Sequence, residues 1–117
     1  MPGQKIVLYG LKNCDTCRKA KRELESAGMT VAFVDIRDEA DLDAKVPAWL
    51  KAAPEKLINK SSTTWRNLKN GDKAKVGTKG ESELLVKYPT LIKRPVIETG
   101  RTVHVGWGKD VQSALLA

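Results

Sequence analysis

The sequence has very few of the residues on which many kinds of protein site depend. Only two cysteines and one histidine occur among its 117 residues, and aromatic residues make up 5% of the chain. A closed zinc site needs about four ligands, usually from two cysteine or histidine pairs, so no metal is expected here. The scarcity of aromatic side chains also argues against a surface that stacks the bases of single strands. We therefore expect no direct binding of nucleic acid.

Long apolar runs and glycine-rich loops that follow a strand are also missing. The longest apolar runs, such as Val31 to Val34, are much too short to cross a bilayer, so no membrane segment is expected. The residues from Met1 to Lys5 precede the first predicted strand without an apolar leader, which predicts a cytoplasmic protein. No dinucleotide fingerprint follows a predicted strand, so we expect no tightly bound flavin or nicotinamide cofactor.

The length of the chain indicates the size of its fold, and the net charge indicates which class of partner it favours. A chain of 117 residues can bury its own core, so we expect one domain, 1–117, and a monomer. The net charge of +7 favours anionic partners. The charge alone does not distinguish among oxyanions, glutathione, nucleic acid and acidic protein surfaces.

Hydrophobic periodicity predicts the element order β-α-β, helices, β-β-α. A strand over residues 5–9, a helix that ends at Gly28 and a strand over 31–35 form a unit typical of parallel sheets. Residues 95–98 and 102–105 flank a short turn, which predicts an antiparallel hairpin. A closing helix is predicted over residues 110–117.

The segment between the two strand regions, about 38–90, has a helical pattern. Pro47 is predicted either to begin a second helix or to kink the first, and Ser62 is predicted to cap a short helix. Gly71 is expected to loosen the segment that follows it. The three tryptophans fall at apolar positions and are interpreted as core residues; they are Trp49, Trp65 and Trp107.

The two cysteines, Cys14 and Cys17, are spaced C-x-x-C between the first predicted strand and the first predicted helix. A helix N-terminus has partial positive charge and unpaired N–H groups, which favour a thiolate over a thiol. Cys14 lies in a polar loop near Lys12 and Arg18, so it is the better candidate for a reactive thiol. Cys17 shares an apolar helix face with Leu24, and either resolves an intermediate or packs in the core. Thiol chemistry is the leading hypothesis.

Four motifs in chain order resemble the family that contains arsenate reductase (ArsC), Spx and YffB. They are Tyr9-Gly10-x-x-Asn13-Cys14-Asp15-Thr16, Leu57-Ile58-Asn59-x-x-x-Thr63-Thr64-Trp65-Arg66-x-Leu68, Pro89-x-Leu91-Ile92-Lys93-Arg94-Pro95-Val96-Ile97 and Val105-Gly106-Trp107. The resemblance implies an α/β fold of the thioredoxin or glutaredoxin type, with a mixed four-stranded sheet and an inserted helical subdomain.

The resemblance also implies a set of site residues. Cys14 is the expected nucleophile, Arg94 the expected anion-binding residue and Pro95 the expected cis proline. An arginine fork suits a tetrahedral oxyanion, and the N–H groups from Asp15 and Thr16 onward suit an anion as well. The residues themselves offer three further anion-binding candidates. Lys60 can supply a positive charge without the fork of an arginine, whereas Lys12 and Arg66 are interpreted either as anion-binding or as solvated surface charges, with the surface role favoured for Arg66. Arsenate reductases carry an additional arginine where this chain has Asn59-Lys60-Ser61, and another near Val105-Gly106-Trp107.

Two functions follow from the resemblance. The first is a thiol-dependent oxidoreductase similar to a glutathione-coupled or glutaredoxin-coupled arsenate reductase, with Cys14 attacking an oxyanion or a disulfide and Cys17 or glutathione resolving the intermediate. The implied partners are glutathione as co-substrate and glutaredoxin or thioredoxin. The second is a Spx-like regulator in which a Cys14–Cys17 disulfide alters binding to the RNA polymerase alpha subunit.

Overall fold

The computed structural model of the protein describes residues 5–116. These residues form four strands and six α-helices, with a short 3₁₀ helix at Pro89–Leu91. In chain order they are β1 (Lys5–Gly10), α1 (Asp15–Ser26), β2 (Thr30–Asp35), α2 (Leu42–Ala52), α3 (Thr63–Asn67), α4 (Asn70–Lys73), α5 (Glu81–Lys87), β3 (Val96–Glu98), β4 (Val103–Val105) and α6 (Lys109–Leu116).

The strands form one mixed sheet in the order β2-β1-β3-β4. β1 is parallel to β2, β3 is antiparallel to β1, and β4 is antiparallel to β3. The predicted β-α-β unit and the predicted hairpin are both confirmed. In the register of β1 and β3, Tyr9 lies opposite Val96. This pairing brings the chain that leaves β1 and the chain that enters β3 to the same end of the sheet.

The described chain divides into two compact units. The sheet unit contains the residues up to Ala40 and those from Arg94 onward, and the helical unit contains Asp41–Lys93. The helical unit corresponds to the predicted insertion, with its ends moved by three residues from 38–90. The expectation that 1–117 is one domain stays a prediction.

The core of the sheet unit lies between the sheet and α1. β1 supplies Ile6 and Leu8, which alternate along the strand, and α1 supplies a stripe of buried residues at helical spacing, Cys17, Ala20 and Leu24. Each large aliphatic side chain buried in this way contributes about 2 kcal/mol. The core also contains Ile97, Trp107 and Val111. The indole N–H of Trp107 donates a hydrogen bond to Glu23 Oε1 at 2.8 Å.

The helical unit has its own buried residues, and α2 packs against α5. α2 runs through Pro47 as a single helix, so a second helix beginning at that proline is not formed. Ser62 Oγ accepts a hydrogen bond from the N–H of Trp65 at 3.1 Å, which confirms the predicted cap. Residues Asn70–Lys73 form a short helix that includes Gly71, and residues 74–80, which follow it, form turns and a bend, in agreement with the predicted loosening.

The prediction that Trp65 is a core residue is wrong. Trp49 and Trp107 are buried, whereas Trp65 is only half-buried. The physical reason is that α3 is five residues long and buries none of its residues. The ring of Trp65 instead lies under two ammonium groups, with Lys60 Nζ at 5.6 Å and Lys73 Nζ at 5.5 Å from its centre.

Two of the sequence expectations fall on residues 1–4 and 117. The leader-free start of the chain and the last residue of the closing helix, Ala117, lie outside the described residues. Between residues 5 and 116, no helix is both long and apolar enough to cross a membrane. The same residues contain no group of three histidine, cysteine or acidic side chains that could hold a metal ion.

Candidate active site at Cys14

Cys14 is held at the start of α1 by backbone hydrogen bonds. Its N–H donates to the carbonyl of Leu11 at 3.1 Å, and its carbonyl accepts from the N–H of Arg18 at 3.0 Å. Cys14 is thus the N-cap residue of a twelve-residue helix, with extended backbone angles. The first N–H groups of α1 have no intrahelical partner, so they are available to a negative charge on the Cys14 sulfur.

The environment favours the thiolate of Cys14. Partial burial by itself raises the pKa of this thiol. Hydrogen bonds from the Cys17 side chain, the Cys17 backbone and the Arg94 side chain outweigh the burial, and the positive charge of Arg94 adds to them, so the pKa of Cys14 is lowered. A lowered pKa is the property of a nucleophilic cysteine, since the thiolate is the reactive form.

The pKa of the Cys17 thiol is shifted in the opposite direction. Burial, together with its hydrogen bond to Cys14, raises the pKa of the Cys17 thiol to about 12. The side chain is fully buried in the core of the sheet unit. Because Cys17 keeps its proton, it donates a hydrogen bond to the Cys14 thiolate. Both thiols are free, and their pKa values are shifted in opposite directions.

Arg94, in the segment that leads into β3, forms a side-chain hydrogen bond with the Cys14 sulfur. It lies two residues before β3 and is half-buried, and the Arg94–Pro95 peptide bond is cis, which confirms the predicted cis proline. The carbonyl of Pro95 accepts a hydrogen bond from the N–H of Gly106 at 2.8 Å, which ties this segment to the residue after β4. The structure therefore brings Arg94 and the two cysteines together, as predicted.

Gly10 is a part of the site that the sequence argument missed. A Cβ atom at this position would lie 2.5 Å from Cys17 Sγ and 3.1 Å from Cys17 Cβ. Only a residue without a side chain lets α1 approach β1 this closely. Gly10 stands in the first of the four motifs, but nothing local in the sequence shows that the Cys17 sulfur packs on it.

The other predicted anion-binding residues of the sheet unit are exposed. Asp15 forms an ion pair with Arg18. Thr16 lies in the first turn of α1, where its N–H belongs to the helix N-terminus. The charge of Lys12 acts on the carboxyl of Asp35, whose pKa is lowered mainly by a backbone hydrogen bond from Asp38.

Lys60 and Arg66 lie in the helical unit. Lys60 contacts the ring of Trp65, and Arg66 donates a hydrogen bond to Thr63 Oγ1 at 3.2 Å. Their predicted roles in anion binding stay predictions.

The difference between the two thiols can be measured by alkylation. We expect the rate at which Cys14 reacts with iodoacetamide to rise with pH and to level off, with a midpoint at lower pH than that of an ordinary free cysteine. The sign follows from the lowered pKa, because the thiolate then forms at lower pH. Cys17 should stay unmodified until the pH approaches about 12 or the chain is unfolded. Tandem mass spectrometry assigns the modified residue, and equal labelling of both cysteines at neutral pH would contradict the expectation.

The sheet order and the thiol pair at the start of α1 define a thioredoxin-like α/β domain with a cysteine site. The profile of the ArsC family matches residues 9–114 of the chain. The protein belongs to the ArsC family.

Three similar proteins show the range of this family. The solved structure of a YffB protein is 33% identical, with a TM-score of 0.85, and the match covers 96% of this chain and 99% of that one. An arsenate reductase (ArsC) related protein from Brucella melitensis is 35% identical, with a TM-score of 0.75 and 97% of each chain covered. The global transcriptional regulator Spx of Listeria innocua is 27% identical, over 90% of this chain and 82% of its own length.

Proposed function

We propose that the protein is a thiol-dependent oxidoreductase in which the Cys14 thiolate attacks an oxyanion or a disulfide, with glutathione as co-substrate. The observation that carries the proposal is the lowered pKa of Cys14, which lies at a helix N-terminus beside Arg94. A thiolate and an anionic substrate repel each other, so a cation beside the sulfur is needed to bring them together.

With a disulfide substrate, the Cys14 thiolate attacks one of the two sulfur atoms. A mixed disulfide forms between Cys14 and that sulfur, and the other sulfur leaves as a thiolate that takes up a proton. A second thiol then attacks the mixed disulfide and restores Cys14. Arg94 stabilises Cys14 as the attacking and as the leaving thiolate, which speeds both steps.

Glutathione suits the role of second thiol better than Cys17. The pKa of Cys17 is raised to about 12 chiefly by burial, and burial does not end when Cys14 is oxidised. Very little Cys17 thiolate is therefore present at neutral pH. Glutathione from solution has an ordinary thiol, and its carboxylates suit a protein with a net charge of +7.

With an oxyanion substrate such as arsenate, Cys14 displaces one oxygen as water and binds the central atom. Glutathione then attacks the Cys14 sulfur, the electron pair of the broken bond remains on the central atom, and that atom is reduced by two electrons. The product on the protein is a Cys14–glutathione disulfide, which glutaredoxin or more glutathione reduces. Within the sheet unit Arg94 and the N–H groups of α1 are the groups that would hold the oxyanion.

Mass spectrometry after treatment with glutathione disulfide tests the proposal. We expect one glutathione adduct on Cys14 and none on Cys17. A Cys14–Cys17 disulfide would show a dithiol route instead. The absence of any modification would overturn the proposed chemistry. Parallel assays with arsenate and with a glutathione mixed disulfide then separate the two substrate classes.

Arg94→Gln is expected to slow glutathione-coupled reduction about 10-fold to 100-fold, since the loss of one charged hydrogen bond costs about 1.5–3 kcal/mol. The alkylation midpoint of Cys14 should move to higher pH in the same variant. Arg94→Lys keeps the charge but loses the planar fork, so it should retain more of the rate with a disulfide than with arsenate. An unchanged midpoint in Arg94→Gln would remove Arg94 from the proposed site.

A second candidate function is a redox-sensing regulator. Two observations favour it: the hydrogen-bonded thiol pair and the likeness to Spx. Oxidation of both thiols to a disulfide would remove the negative charge of Cys14 beside Arg94. Pull-down of the RNA polymerase alpha subunit by oxidised and by reduced protein separates the candidates. A complex formed in one redox state only would favour the regulator.

A further inference from the structure

Most of the net positive charge of the protein comes from one short segment of the helical unit. Residues 56–80 contain seven lysine or arginine residues and one aspartate, a net charge of +6 out of the +7 of the whole chain. This segment includes α3 and α4. A charge of this density repels itself, and its cost is offset when an anionic partner binds.

The single carboxylate of the segment does not neutralise it. Asp72 Oδ1 lies 3.3 Å from Lys75 Nζ, so it is already paired with one of the seven cations. The ammonium groups of Lys60 and Lys73 lie over the ring of Trp65. Such cation–π contacts hold the lysines in place without removing their charge.

A cleft of about 290 Å³ lies beside these charges, within the helical unit. Half-buried Leu68 and Tyr88 give it an apolar part, and exposed Lys69 and Lys87 also line it. The rest of the lining is polar and consists of Thr64, Asn67 and Asp72, the carboxylate that is paired with Lys75. Lys87 Nζ is 5.5 Å from the centre of the Tyr88 ring. The cleft thus combines an apolar depression with two flanking ammonium groups.

We propose that this α3–α4 surface, formed by residues 56–80 with Lys87 and Tyr88, docks an acidic protein segment. One apolar side chain of the partner enters the cleft against Leu68 and Tyr88, and flanking aspartate or glutamate carboxylates contact Lys69 and Lys87. The proposal does not depend on the Cys14 chemistry.

The chemistry of the surface favours a protein partner over the alternatives. A small inorganic anion would make no use of the apolar lining of the cleft. A single strand of nucleic acid binds largely by stacking its bases on aromatic rings. The ring of Trp65 is approached by Lys60 and Lys73, which restricts base stacking there. Carboxylates need only point cations, which lysine supplies.

Fluorescence anisotropy with synthetic peptides tests the proposal. The probe is a labelled peptide in which one leucine is flanked by glutamates, and the comparison peptide has glutamine at each glutamate. We expect the glutamate peptide to bind more tightly, and its affinity to fall as salt is added. The variant Lys69→Gln/Lys87→Gln should bind it about three-fold to ten-fold more weakly, as expected for two exposed ion pairs.

The matched control is Lys19→Gln/Lys109→Gln, which removes the same charge from two exposed positions of the sheet unit. Its affinity should stay within about two-fold of that of the unchanged protein. An equal loss in both variants would show general attraction and overturn the proposal, as would equal binding of the two peptides. A labelled single-stranded oligonucleotide that binds more tightly than the peptide, and loses affinity in the Lys69→Gln/Lys87→Gln variant, would assign the surface to nucleic acid instead. Circular dichroism confirms that both variants are folded.

Discussion

Cys14→Ser is expected to lower the rate of glutathione-coupled reduction by at least about 10³-fold. A serine hydroxyl does not ionise at neutral pH, so the hydrogen bonds from Cys17 and the charge of Arg94 have no anion to stabilise. The rate is measured with a glutathione mixed disulfide and with arsenate, at matched protein concentration. Full retention of the rate with either substrate would exclude Cys14 as the nucleophile for that substrate.

Cys17→Ala is the matched control for this variant. It removes the other sulfur and leaves Cys14 in place, but it deletes one hydrogen bond that lowers the pKa of Cys14. If glutathione resolves the intermediate, the rate should fall no more than about 100-fold, since a hydrogen bond to a charged group contributes about 1.5–3 kcal/mol. A loss as large as that of Cys14→Ser would show that Cys17 itself is the second thiol.

Gly10→Ala is expected to destabilise the protein by about 3 kcal/mol, at the upper end of the range for overpacking a core. The new Cβ would lie 2.5 Å from the sulfur of Cys17, which is fully buried and packed in the core of the sheet unit. Either α1 moves away from β1 or Cys17 leaves its rotamer. Urea denaturation measures the change, and a loss below about 0.5 kcal/mol, the range of ordinary surface substitutions, would contradict the expected clash.

Two further variants isolate the cause of this effect. Gly71→Ala places the same methyl group in α4 with no atom within 4 Å, so stability should be unchanged or should rise by up to about 1 kcal/mol. In Gly10→Ala/Cys17→Ala the sulfur is gone, and the loss should be smaller than the sum of the single losses by at least about 1 kcal/mol. Additive losses would place the strain somewhere other than the Gly10–Cys17 contact.

Features of the fold that depend on residues close together in the sequence were predicted correctly. The start of α1, the cap at Ser62 and the strand hairpin depend on residues only a few positions apart, and all three are present. The prediction that Trp65 lies in the core was wrong because hydrophobicity alone does not show whether a short helix packs against a partner that buries it. The effect of Pro47 on the helix was left open by the sequence, because packing in the helical unit decides whether a helix continues past a proline.

The amino-acid sequence by itself determined the element order, the placement of two cysteines at a helix start and the family motifs that mark Arg94. The sequence also favoured Cys14 over Cys17 as the reactive thiol, but only the tertiary structure shows which contacts lower the pKa of Cys14 and raise the pKa of Cys17. The pairing of β1 with β3 brings Arg94 to Cys14, and the contact with Gly10 holds Cys17 in the core. The physical reason is that a thiol's pKa depends on burial and on charges nearby in space, and those neighbours are distant along the chain.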